Sequence, residues 1–133
     1  MIVIVGFDTG YFIRLLEGNE IAVKVWKELS NGDIDAIVSP LTFFELKRLG
    51  LRGKIEINAV ETLIEAIEGI CQVAWLKNID VFTYSANISH GTGIPAVDSI
   101  ILASCIELNA SKIYTTDSHF LEYKKKLVSI VKI

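Results

Sequence analysis

The chain has little that would serve redox or soft-metal chemistry. It holds two cysteines and two histidines in 133 residues. Cys71 and Cys105 lie in apolar surroundings and form no CxxC pair, so two reduced, buried thiols are expected rather than a disulfide or a zinc site. No apolar run approaches the roughly 20 residues a membrane span needs. The start, MIVIVGFDTG, lacks a basic segment and a cleavage site and reads as a strand beginning at Met1, so no signal peptide and a cytoplasmic location are expected. There is no GxxxxGK[ST] and no GxGxxG after the first strand, which removes the phosphate-loop and dinucleotide-binding readings. An aspartyl-nucleophile phosphatase would want a second acid two residues after Asp8, and Gly10 stands there. Nor is there a basic excess: net charge is −3, against the habit of dedicated nucleic-acid binders.

What the chain does have is apolar residues, 51% of the total, and a regular alternation of patterns. Continuous β-branched runs at Ile2–Phe7 and Ile34–Ser39 read as strands buried on both faces. Cys71–Leu76, Lys112–Thr116 and Leu127–Ile133 read as three more. Helical spacing is expected from Tyr11 to Leu16, from Asn19 to Asn31, over 41–49, 55–70 and 78–89, and from Pro95 to Leu108. Gly50 and Gly53 mark a bend, residues 90–94 a loop, and residues 118–126 a turn or short helix. Strands alternating with helices in one 133-residue unit predict a single α/β domain, 1–133, with a mainly parallel sheet between helical layers. In such sheets ligands bind beyond the carboxyl ends of the strands, where the winding reverses.

Four carboxylates stand at element boundaries. Asp8 and Asp117 follow the first and fourth strands; Glu45 and Asp98 lie near the starts of helices. If the first and fourth strands are neighbours, all four converge on one volume. Singly, each acid also fits a plainer role: Asp8 as a helix N-cap, Asp117 as the cap of the turn after it, Asp98 as a favoured first-turn acid, Glu45 as a solvated helix residue. Jointly these roles fit less well, because Glu45 and Asp98 have apolar neighbours and a partly buried carboxylate needs a partner. No arginine is near Asp8, Asp98 or Asp117 in sequence to supply one. A hard cation such as Mg²⁺ or Mn²⁺ would.

The order Asp…Glu…Asp…Asp, with its surroundings, resembles the PIN-domain family, in particular the VapC-type toxins and their archaeal relatives. IVGFDTGYFIRLL is similar to the family's first strand with its Asp and following hydroxyl. SPLTFFEL resembles its Ser-x-x-Thr-x-x-Glu helix, HGTGIPAVDSIILASC its Pro-x-x-Asp helix, and IYTTDSHF its Thr-x-Asp strand end. The resemblance spans essentially the whole chain. It implies a three-layer α/β/α fold with strand order 3-2-1-4-5. It implies a metal-dependent endoribonuclease in which Asp8, Glu45, Asp98 and Asp117 are the catalytic and metal-ligating acids. Thr9 and Thr115 match hydroxyl positions that orient the acids or a water. Cleavage would leave 5′-phosphate and 3′-hydroxyl ends. A homodimer and a protein antitoxin partner are also implied. Many family members carry a further acid after the last Asp, where this chain has Ser118 and His119, so a second metal site is not implied here. Lys47, Arg48, Arg52 and Lys54 are candidates for contacting RNA phosphates, or else a solvated helix end. Lys124, Lys125 and Lys126 form a second basic run that also suits an exposed strand edge. The competing reading is a non-catalytic PIN-like module that binds RNA or protein. It is motivated by the acidic net charge and the missing fifth acid.

Overall fold

The computed structural model describes residues 2–133, so the expected start of the first strand at Met1 lies outside the described residues. Five strands form one sheet: β1 (Val3–Phe7), β2 (Ile34–Val38), β3 (Gln72–Val73), β4 (Lys112–Thr115) and β5 (Ser129–Lys132). Their order is 3-2-1-4-5 and every pairing is parallel. Parallel neighbours need crossovers, and six helices supply those up to β4: α1 (Thr9–Leu16), α2 (Glu20–Ser30), α3 (Pro40–Leu51), α4 (Ile57–Ile70), α5 (Asp80–Thr92) and α6 (Ala96–Glu107); the connection from β4 to β5 holds only a 3₁₀ turn. β1 is central, with β2 on one side and β4 on the other. The adjacency on which convergence of the acids depends is therefore present.

The twofold alternation of a strand sends neighbouring side chains to opposite faces, and the core divides accordingly. Val5, Phe7, Ala36, Val38 and Tyr114 pack with Phe12, Val25, Leu46, Val60 and Ile67 from α1 to α4. Ile37 and Ile113 pack with Val81, Ile88, Ile101, Leu102 and Cys105 from α5 and α6. At Gly6, an added Cβ would come within 2.6 Å of Cys105 Sγ, so glycine lets α6 lie close on the central strand. Cys71 and Cys105 are both free thiols; Cys105 is buried, whereas Cys71, expected to be buried too, is only partly so, and burial pushes each pKa up to about 12.

Several boundaries differ from the sequence reading. The third strand is two residues, not six: Ala74 N–H still donates to Val38 O, but Trp75 N–H turns back to Val73 O and leads the chain off the sheet edge. Gly50 does not bend the chain; α3 continues through it, because a bare Cα there accommodates Val60 of α4. The stop comes at Gly53, with φ +72°. Residues 90–92 belong to α5 rather than to a loop, and Gly93, at φ +78°, ends the helix. Residues 118–122 form one 3₁₀ turn. No helix among the described residues is long and apolar enough to cross a membrane.

Candidate functional site

β1 delivers Asp8 to the carboxyl edge of the sheet. Its backbone is still extended, and its N–H donates to Tyr114 O of β4 at 3.1 Å. The residue is 5% exposed and both carboxyl oxygens are engaged. Oδ1 accepts the Tyr11 N–H at 3.1 Å and so caps α1; Oδ2 accepts the Thr115 hydroxyl at 2.5 Å. Thr115 in turn accepts the Asp117 N–H at 2.9 Å. One buried hydroxyl thus fixes the first and last acids relative to each other. Asp117 Oδ1 accepts the His119 N–H at 2.8 Å, and His119 Nδ1 stands 3.2 Å away. The capping roles expected for Asp8 and Asp117 are real, and each acid still faces the cleft.

Glu45 arrives on α3, whose start is set by Ser39 at the N-cap, accepting from Leu41 N–H, and Pro40 at the first position. Thr9 donates its hydroxyl to Glu45 Oε1 at 2.5 Å. The Thr42 hydroxyl lies 3.1 Å from Thr9 Oγ1. Thr9 has a single proton and gives it to the carboxylate, so Thr42 is the donor to Thr9. Asp98 sits in the first turn of α6, which has no side-chain cap.

All four acids line one open cleft of about 660 Å³. Asp98 and Asp117 also form a donor set with His119, which stands outside the cleft lining, each of the three offering one ligand atom within 4.8 Å of the others. Asp8 and Glu45 border the same space but fall outside that set. Burial raises Asp98 to about 7, aided by the hydrogen bond it donates to Asp117 and by the charges of Asp117, Glu45 and Asp8. Burial also raises Asp8 to about 6, although the bonds from Thr115 and Tyr11 oppose the rise. Burial works against ionisation of Asp117 as well, but the His119 N–H and the Asp98 proton outweigh it and lower its pKa.

Of the expected basic residues, Arg48 and Arg52 line the cleft; Lys47 and Lys54 are exposed and do not. Among the described residues neither arginine has an ion-pair partner, despite four carboxylates in the same space. Thr42 and Thr116 belong to the site and received no role from the sequence. Thr42 was findable, since it stands one turn before Glu45 and so on the same helix face. Thr116 was not, because its place depends on Gly10: a Cβ at Gly10 would overlap Thr116 Oγ1.

The fold has counterparts among known proteins. The family model for the PIN domain matches residues 5–126. No curated protein sequence matches the chain. Among solved structures it is similar to a chain of VapBC2 from Rickettsia felis bound to a promoter DNA fragment, at TM-score 0.72 and 13% identity over 98% of this chain and 99% of that one. A toxin-antitoxin complex from Klebsiella pneumoniae contains another similar chain, at TM-score 0.71 and 17% identity over 97% and 99%. VapBC-1 from nontypeable Haemophilus influenzae gives 0.69 and 22% over 98% of each chain. With strand order 3-2-1-4-5, four acids gathered where the sheet's winding reverses, and a family match over nearly its whole length, the chain belongs to the PIN-domain family.

Proposed function

We propose that the chain is a Mg²⁺- or Mn²⁺-dependent endoribonuclease, acting as the toxin of a toxin-antitoxin pair. The observation that carries this reading is the convergence of Asp8, Glu45, Asp98 and Asp117 from four elements on one cleft, with no cationic side chain paired to Asp8, Glu45 or Asp98 among the described residues. Like charges brought together without a counter-ion are costly. The proton that Asp98 shares with Asp117 is a partial substitute for the missing charge. The donors lining the cleft are carboxylate oxygens, with the His119 imidazole beside Asp117 as the one nitrogen, and so oxygen-rich a set suits a hard divalent cation.

Asp98, Asp117 and Asp8 would hold the ion, directly or through water. When bound, a divalent cation would acidify a water, polarise a phosphoryl oxygen and orient the strand. Thr9 holds Glu45 by one oxygen and leaves Oε2 without a protein partner among the described residues, suited to position or deprotonate the attacking water. Thr115 keeps Asp8 and Asp117 at fixed separation. Arg48 and Arg52 would neutralise phosphates flanking the scissile one. A protein antitoxin covering the cleft, and a homodimer, complete the proposal. The antitoxin is supported by the toxin-antitoxin complex in which one of the similar chains occurs; the homodimer rests on the family resemblance alone.

Cleavage of single-stranded and structured RNA, assayed with Mg²⁺, with Mn²⁺ and with chelator, tests the reading. Cutting should require the metal and fall at least about a hundredfold in Asp8→Asn and in Asp98→Asn. Folded protein that neither cuts nor gains thermal stability from either ion would establish the non-catalytic binding module instead.

A further inference from the structure

α3 carries a feature that the acids do not explain. Phe44 is 66% exposed, stands beside Glu45, and lines the cleft. Every other aromatic near the acids in sequence is spoken for. Tyr11 and Phe12 are fully buried, and Phe43 packs against Trp75 at 6.3 Å. No aromatic ring among the described residues packs on Phe44. At a spacing of four, Phe44 and Arg48 share one face of α3 and Arg52 follows them at its C-cap, and all three line the cleft. Across the acids from α3 lies the end of β5. There Lys132, in register with Thr115, holds its ammonium 2.8 Å from Ser118 Oγ, next to Asp117. Along the carboxyl edge the order is therefore an exposed ring with two unpaired guanidiniums, then the carboxylates, then an ammonium.

We infer that Phe44 is a stacking platform for one unpaired base of a strand held in this cleft. The inference rests on the nuclease reading only for which phosphate lies over the acids. A phosphodiester strand alternates flat rings with anions, and this edge presents a flat ring, cations and an anion-tolerant metal site in that succession. An acidic peptide would satisfy the arginines but would leave the ring without a planar partner. In a duplex the base faces are stacked on their neighbours and cannot reach a side chain, whereas in a single strand they can. Phe44 is then a specificity residue. Arg48 and Arg52 hold the phosphates on its side, and Lys132 holds the one beyond Asp117.

The test is binding, measured by fluorescence anisotropy in Mg²⁺ on the Asp8→Asn protein. Three probes are used: a labelled single-stranded RNA, its duplex, and an abasic strand of equal length. Phe44→Leu should weaken single-strand binding at least about fivefold and leave the abasic strand unchanged. Phe44→Tyr should restore binding, and Phe82→Leu, an exposed aromatic outside the cleft, should change nothing. Arg48→Gln and Arg52→Gln should weaken both strands alike and lower the salt dependence. Single-strand affinity unchanged in Phe44→Leu, or lost equally for the abasic strand, would overturn the inference and leave Phe44 as an anchor for a protein partner. Phe44-dependent binding by a protein whose wild type never cuts RNA would keep this inference and remove the nuclease reading. Cleavage with Phe44-independent binding would do the reverse.

Discussion

Without a cation, Asp98 keeps its proton to about pH 7 and Asp8 to about pH 6, whereas each starts from 3.8. Between pH ~4 and ~7 the folded chain therefore holds more protons than the unfolded one. The metal-free protein should lose stability as pH rises through that window and level off above it. Asp98→Asn places an amide donor where the shared proton was and removes a charge. In chelator it should flatten this decline and be more stable than wild type at pH 8. The gain should be on the order of 1 kcal/mol once solvent screening of a half-buried group is allowed for. Urea unfolding at pH 4 and pH 8 measures it, and parallel wild-type and mutant profiles would refute the coupling. Asp8→Asn is a less clean probe of stability, because Asn keeps the cap to Tyr11 but cannot accept the Thr115 hydroxyl on the same side. Thr115→Val removes the bond that opposes the rise of Asp8. It should weaken Mg²⁺ binding at pH 7 and recover part of it at pH 8.5, read as the Mg²⁺ midpoint of the thermal shift. At this scale the four acids were legible because Asp8 and Asp117 follow strands, Asp98 opens a helix and Glu45 stands in the Ser-x-x-Thr-x-x-Glu pattern of α3, in a recognisable order. The sorting of Arg48 and Arg52 from Lys47 and Lys54 was not drawn, although the spacing 44, 45, 48, 52 already places one helix face beside Glu45.

Between elements, the tightest constraint is the approach of α1 to the end of β4. Gly10→Ala would drive a methyl into Thr116 Oγ1 and should cost about 1–3 kcal/mol, measured by denaturant unfolding. Thr116→Ala in the same chain should return part of that loss. Additive losses in the double mutant would mean that the glycine serves some other purpose. The alternation of buried runs with helical spacing was enough to place all five strands and six helices, but their ends followed geometry that letters do not carry. Two glycine pairs show why. Gly50 and Gly91 lie inside helices, while Gly53 and Gly93, two or three residues later, take positive φ and end them. The residues are identical in kind; only packing against Val60 or the left-handed turn distinguishes them. The third strand was overestimated because β-branched and aromatic residues at a sheet edge look the same whether or not a partner strand continues beside them.

For the whole molecule, the proposed cation site would link metal binding to folding. Excess Mg²⁺ should raise the unfolding free energy, by about 2.7 kcal/mol at a hundredfold excess over its Kd, and should fail to do so in Asp98→Asn. Differential scanning fluorimetry across a Mg²⁺ series reads this directly, and equal shifts in both proteins would place the ion elsewhere. The strand order was legible only through the four motifs, since periodicity reports which segments are strands and not which are neighbours. That order also has a temporal consequence. β1 forms early in the chain but takes β4 as its partner, and the Thr115 hydroxyl that fixes Asp8 lies 107 residues downstream. Closing so long a loop is entropically slow, and contacts of this range form late in folding. On a ribosome the acids cannot meet until residue 117 has emerged. On the proposed nuclease reading, a nascent chain is therefore harmless to the very RNA that encodes it until residue 117 has been made.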